Sequence, residues 1–148
     1  MAKEKTLIIV KPDGVQKKLI GEALSRFEKA GLDISHLEIK KIKKSQAEKF
    51  YGHLKSKLHP KLFDNIVEFM TSDKVVIGLI EGENAASRVR EIVGPTNPKK
   101  APKGTIRGDF GEDDMEICGT ELRATKNIIH SSESHAHAEN EFKILNEE

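Results

Sequence analysis

Lys74-Val75-Val76-Ile77-Gly78-Leu79-Ile80-Glu81 (KVVIGLIE) is a near-continuous apolar run. A run this short and this rich in β-branched residues reads as a strand buried on both faces. Before it, Lys61–Met70 places Leu62, Ile66, Val67, Phe69 and Met70 at helical spacing, and a helix through Gln46–Leu54 takes Ser45 as its expected cap. Leu32–Ile42 alternates in part and predicts a strand, while Ile20–Ala30 predicts a helix stopped by Gly31. Thr6–Val10 (TLIIV) is a short β-rich run that ends at Pro12-Asp13-Gly14, a turn signal.

After the opening stretch, Asn84–Val93 predicts a helix that stops at Gly94-Pro95. Gly94–Asp109 is rich in Pro, Gly and Lys and lacks periodicity, which predicts a long loop of the kind that often carries function. Met115–Thr125 is expected to form a small hairpin with Cys118-Gly119 as its turn. Asn127–His130 predicts a short strand, and a last helix follows through Leu145 with Ser132 or Ser134 as its cap. The resulting order is close to βαββαβ, an α+β arrangement in which helices back an antiparallel sheet. No repeat or flexible linker divides the chain, so residues 1–148 are expected to form a single domain.

The bulk numbers exclude more than they identify. The 148 residues suit one ordinary domain, and 36% hydrophobic content is enough for a core. With 25 basic and 24 acidic residues the net charge is +1, without the basic excess of a protein that wraps duplex nucleic acid. Lys40–Lys44 (KKIKK) is the one candidate patch for such binding, and a solvated strand edge explains it more simply. Single Cys118 excludes an intramolecular disulfide framework and a Cys-rich zinc site. No run approaches the roughly 20 apolar residues needed to cross a bilayer, and the start MAKEKTLIIVKPDG has no signal-peptide character. A cytoplasmic protein with no membrane partner is the expectation.

Chemistry concentrates in Asn127-Ile128-Ile129-His130-Ser131-Ser132-Glu133-Ser134. A histidine at the end of an apolar strand, just before a helix start, can face a cleft, where neutral imidazole is a good nucleophile. The helix-start N–H groups, with Ser132, could donate to phosphate oxygens. Glu133 or Glu141 could fix the imidazole tautomer. The same segment also fits a half-buried histidine satisfied by a neighbouring backbone group. Lys11 leaves the first strand at a turn, Arg90 lies on a helix leading into the long loop, and Arg107 sits in Gly104-Thr105-Ile106-Arg107-Gly108-Asp109-Phe110. Together they could supply the fixed cations that phosphoryl transfer requires, although each alone is more often a solvated surface charge. There is no Walker-type motif and no Gly-x-Gly-x-x-Gly fingerprint, so any nucleotide is held another way. His135 and His137 are two apart and share no helix face, which makes them a poor metal pair.

In this order the motifs resemble the nucleoside diphosphate kinase family. Lys11-Pro12-Asp13-Gly14-Val15-Gln16 is similar to its first-strand motif. Gly94-Pro95-Thr96-Asn97-Pro98 with Gly104–Phe110 is similar to its substrate loop, and Asn127–Ser134 to its active-site signature. The resemblance spans roughly residues 4–145 and implies a ferredoxin-like α/β sandwich running a ping-pong reaction. In it His130 takes the γ-phosphate of a nucleoside triphosphate, becomes phosphohistidine, and passes the group to a nucleoside diphosphate. It further implies that Lys11, Arg90, Thr96, Arg107 and Asn127 bind phosphates and ribose, that Tyr51 and Ser132 line the site, and that Glu141 orients His130. Mg²⁺ is implied to arrive on the nucleotide phosphates with few or no protein ligands. A homo-oligomer, a hexamer or tetramer built from dimers, is implied as well.

Three departures stand out. Where the family has a base-stacking aromatic, this chain matches Leu62, with Phe63 as the alternative if the helix shifts. Gly111–Lys126 is longer than the usual link, and its Glu112, Asp113, Asp114 and Glu116 would repel substrate over the phosphates. That insertion is therefore expected to project away from the cleft or to form an interface. The chain also ends soon after the last helix. The rival class is a nucleotide-binding module that has lost turnover.

Overall fold

The computed structural model describes residues 3–147; Met1, Ala2 and Glu148, included in the single-domain expectation, lie outside the described residues. Strand β1 (Lys3–Val10) leads into the short helix α1 (Pro12–Gln16) and then α2 (Ile20–Lys29). Strand β2 (Asp33–Lys40) is followed by α3 (Lys44–Phe50), a 3₁₀ turn at Gly52–Leu54, and α4 (Pro60–Thr71). Strand β3 (Val75–Glu83) contains most of the apolar run, and α5 (Ala85–Val93) follows it. The last third holds a 3₁₀ turn at Pro98–Lys100, α6 (Ile106–Phe110), α7 (Met115–Thr120), β4 (Ile129–Ser131) and α8 (His135–Leu145).

The strands form one antiparallel sheet in the order β2-β3-β1-β4, the ferredoxin-like arrangement expected from the order of elements. Thr6–Val10 and Val75–Gly78 are buried without a break, because helices cover both faces of the two central strands. On one face Ile8, Val10, Val76 and Ile80 pack with Phe27 of α2 and Val89 of α5. On the other, Leu7, Ile9, Val75 and Ile77 pack with Phe50 of α3, Val67 and Met70 of α4 and Leu145 of α8. Edge strand β2 alternates, and leaves Leu37 and Ile39 at 48% and 64% exposure.

Four local expectations change. Pro12-Asp13-Gly14 is the first turn of a helix and not a free turn, since proline's fixed φ and missing N–H suit that position. Ser45 does not cap α3: the Gln46 side chain accepts the Lys43 N–H at 3.0 Å, starting the helix earlier, and the helix ends at Phe50. The segment expected as a hairpin is helical α7, because the Asp114 carboxylate accepts the Glu116 N–H at 3.1 Å and Cys118 is buried beneath it. The long loop is also more ordered than its composition implies. Asn97 caps its 3₁₀ turn, and Thr105 caps α6 by accepting the Gly108 N–H at 3.0 Å.

Candidate active site

The end of β1, the start of β4 and the loop after α5 meet around a cavity of about 850 Å³. Lys11, Tyr51, Arg90, Thr96, Arg107, Asn127, His130 and Glu141, all expected from the sequence, line it. Short β4 pairs only with β1, Ile9 opposite His130, so the β1–β4 seam sets where the imidazole stands. Before it, Ile128 takes a left-handed φ of 75°, which delays the strand by comparison with the expected Asn127 start.

The His130 Nε2 lies 3.1 Å from Glu141 Oε1, and the ring meets Phe50 edge-on at 5.1 Å. Burial pushes the imidazole below its ordinary proton affinity. Glu141 opposes that shift, and Lys11 and Arg107 add to it. For Glu141, burial favours the neutral acid, but hydrogen bonds from His130 and Ser132 outweigh it and keep the carboxyl below its usual range. The pair therefore rests as neutral imidazole and carboxylate near neutral pH. With Nε2–H donating to the carboxylate, Nδ1 keeps its lone pair. Tyr51, raised by burial and then by Glu141, stays a neutral phenol.

Ser132 differs from its expected place. It is fully buried and outside the cavity lining, and its hydroxyl donates to Glu141 at 2.5 Å. It cannot meet a phosphate; it anchors the carboxylate that holds His130. Ser134, not Ser132, caps α8, accepting the His137 N–H.

Lys11 and Arg107 are held in place, one by a side-chain amide and the other by backbone carbonyls. Lys11 Nζ donates to Asn127 Oδ1 at 2.7 Å, and Asn127 Nδ2 donates to the Thr96 carbonyl at 3.0 Å, tying β1 to the loop. Burial, then the neighbouring Arg107, lowers Lys11 to about 8, with Asp13 pulling the other way. Arg107 is 6% exposed and spans three carbonyls, those of Asn127, Gly94 and Ile129. Burial, then Arg90, lowers it to about 10. Arg90 itself is exposed at the rim.

Leu62 does not line this cavity, and Phe63 is 3% exposed in the core. His59 accepts the Lys61 N–H and starts α4 at Pro60, and that phase turns Phe63 inward. His53 and Leu54, not singled out in the sequence, form the outer wall instead. The insertion stays clear of the cavity as expected: none of residues 111–126 lines it. Its acids are engaged elsewhere, Asp113 with Arg123 at 3.0 Å, Asp114 with Asn97 at 3.2 Å and Glu116 with Lys100 at 3.0 Å. His135 and His137 pair separately with Glu139 and Glu133. Among the described residues no three His, Cys, Asp or Glu side chains gather as a metal site, and no helix is long and apolar enough to cross a membrane.

A sandwich whose cleft sets a neutral, carboxylate-bound histidine among buried cations is that of an enzyme handling phosphate groups. The nucleoside diphosphate kinase profile matches residues 4–148. A nucleoside diphosphate kinase of Methanocaldococcus jannaschii is 41% identical over 143 residues, covering 97% of this chain and 93% of that one. The Borrelia burgdorferi enzyme, solved as a transition-state mimic with vanadate and ADP, superposes with a TM-score of 0.91 at 33% identity, covering 99% of this chain and 88% of that one. The Halobacterium salinarum enzyme in complex with CDP gives 0.85 at 34%, covering 99% and 90%. This chain belongs to the nucleoside diphosphate kinase family. Its reaction is phosphoryl transfer from a nucleoside triphosphate to a nucleoside diphosphate.

Proposed function

We propose that the transfer runs by a ping-pong mechanism through His130, and the hydrogen bond from its Nε2 to Glu141 is the observation that carries this reading. That bond leaves Nδ1 as the nucleophile. Its lone pair forms a bond to the γ-phosphorus while the bond to the β,γ-bridging oxygen breaks, and the nucleoside diphosphate leaves with that electron pair. A terminal oxygen of a second diphosphate then attacks the phosphohistidine, and the imidazole recovers its electron pair. Glu141 stabilises the positive charge that the ring carries in between, and Ser132 holds Glu141 in place.

Lys11, Arg90 and Arg107 offset charge on the phosphates, while Thr96 and Asn127 hold the loop and meet the sugar or phosphates. The base rests on the outer wall at Leu54 and His53. The cavity walls are cationic, and Glu141 is already engaged by two donors, which fits Mg²⁺ bound to the nucleotide phosphates and not to a protein cage. When bound there, Mg²⁺ supplies further charge neutralisation. The chain works in the cytoplasm as a homo-oligomer, a hexamer or a tetramer built from dimers. The apolar edge at Leu37 and Ile39 supports that assembly, and light scattering measures it.

Steady-state exchange from ATP to a second nucleoside diphosphate tests the mechanism. Parallel double-reciprocal lines are expected; intersecting lines would rule out a phosphoenzyme.

A further inference from the structure

Asp13 is the buried charged group that the mechanism above does not use. It is 4% exposed, at the second position of α1. Its Oδ2 accepts the Ile128 N–H at 2.9 Å, while its Oδ1 is buried without a hydrogen-bond partner among the described residues. A buried carboxylate in that state is costly and needs a reason.

The reason lies in what it holds. Ile128 is fully buried and β-branched, yet stands at φ 75°, a conformation that strains such a residue and persists only when its surroundings fix it. Its N–H is fixed by Asp13, and its carbonyl accepts the Lys11 N–H at 2.8 Å. The carbonyls on either side, Asn127 and Ile129, both accept from Arg107. Gly14 permits the approach, since a Cβ there would stand 2.6 Å from the Ile128 carbonyl. His130 follows two residues later in a strand of three residues, too short to fix its own phase.

We propose that Asp13 is a positioning residue for phosphoryl transfer: its carboxylate locks Ile128 in the left-handed conformation that sets His130 at the cavity. The inference rests on the reading of His130 as nucleophile. An extended Ile128 would change the direction of the chain entering β4 and move the imidazole, and a misplacement of about 1 Å is enough to slow a reaction on the order of 100-fold. Arg90 meets the nucleotide from α5, apart from the Asp13–Ile128 bond, so part of the binding is kept and Kd changes less than the rate.

Single-turnover phosphorylation by MgATP, with nucleotide Kd measured separately, tests this on the full chain. D13A is expected to phosphorylate about 100-fold more slowly with Kd changed much less, and its label should still map to His130. D13N keeps an oxygen to accept the Ile128 N–H, and should stay within several-fold of wild type. Glycine adopts positive φ freely, so D13A/I128G should recover at least part of the rate lost in D13A. D13A at the wild-type rate, D13N as slow as D13A, or no recovery in D13A/I128G would each overturn the proposal. If D13A does not fold, folding of D13A/I128G supports the pairing, and its failure while I128G folds overturns it. Label mapping away from His130 in the wild type would instead sink the nucleophile reading itself.

Discussion

Replacing Lys11 with glutamine should make the nucleotide-free protein more stable while disabling it. Lys11 is half-buried beside Arg107, and its proton affinity falls from the 10.5 of a free lysine to about 8. At roughly 1.4 kcal/mol per pH unit, keeping the charge in the fold costs up to about 3 kcal/mol at neutral pH. Partial exposure reduces that figure, so a gain of about 1–2 kcal/mol is expected for K11Q. Glutamine retains a donor for Asn127 Oδ1, which lysine now reaches at 2.7 Å. The sign follows from proton linkage. The folded lysine releases its proton near 8, whereas the unfolded one holds it to about 10.5, so the unfolded state binds more protons across that window. Wild-type stability gains from this group as pH rises from 8 to 10.5, and the advantage of K11Q shrinks over the same range. Urea denaturation at matched protein concentration, at pH 7 and at steps up to pH 10, measures it. ATP should stabilise the wild type far more than K11Q. A less stable K11Q, or a gap that does not change with pH, would show that burial does not penalise the Lys11 charge.

Three further outcomes are expected. The acid limb of kcat/KM should lie below the ordinary imidazole value of about 6.5, because burial lowers His130 and the neutral ring is the reactive form; E141Q removes the opposing carboxylate, moves the limb lower still, and slows transfer on the order of tenfold to hundredfold. In G108A the new Cβ would stand 1.9 Å from the Pro102 carbonyl, so the loop must shift and the Arg107 contacts with it; calorimetry should show a loss of about 1–3 kcal/mol, and KM should rise. N97A leaves the Met115 and Lys99 N–H groups without their acceptor, so limited proteolysis within residues 111–126 should speed up while the transfer rate holds, since that segment does not line the cavity.

The sandwich was legible because its signals are periodic and local. Val75–Gly78 and TLIIV are buried on both faces, and Ala23 and Phe27 of α2 and Val67 and Met70 of α4 are buried at the apolar spacing. Lys11, Arg90, Arg107, Asn127 and His130 line one cavity, because the short elements and loops that carry their motifs meet there. Less legible was anything decided by partners far along the chain. Pro12-Asp13-Gly14 has the composition of a turn, and its central contact, Asp13 to Ile128, lies 115 residues away. Ser132 sits where a helix cap is expected, and only the packing of α8 against β1 brings Glu141 to its hydroxyl. Cys118-Gly119 resembles a hairpin turn until Asp114 is seen capping a helix before it. The placement of the residues matched to the base contact was hidden for a similar reason: α4 begins at Pro60, and its phase places Phe63 in the core and Leu62 off the cavity.

The proposed reaction turns on one covalent bond. Incubating the protein with γ-labelled MgATP, mapping the labelled peptide and recording its phosphorus spectrum locates the phosphoryl group directly. The ping-pong mechanism requires an acid-labile, base-stable phosphate on Nδ1 of His130, discharged by added nucleoside diphosphate and absent from H130A. A phosphate on Nε2, on another residue, or still present in H130A would contradict it.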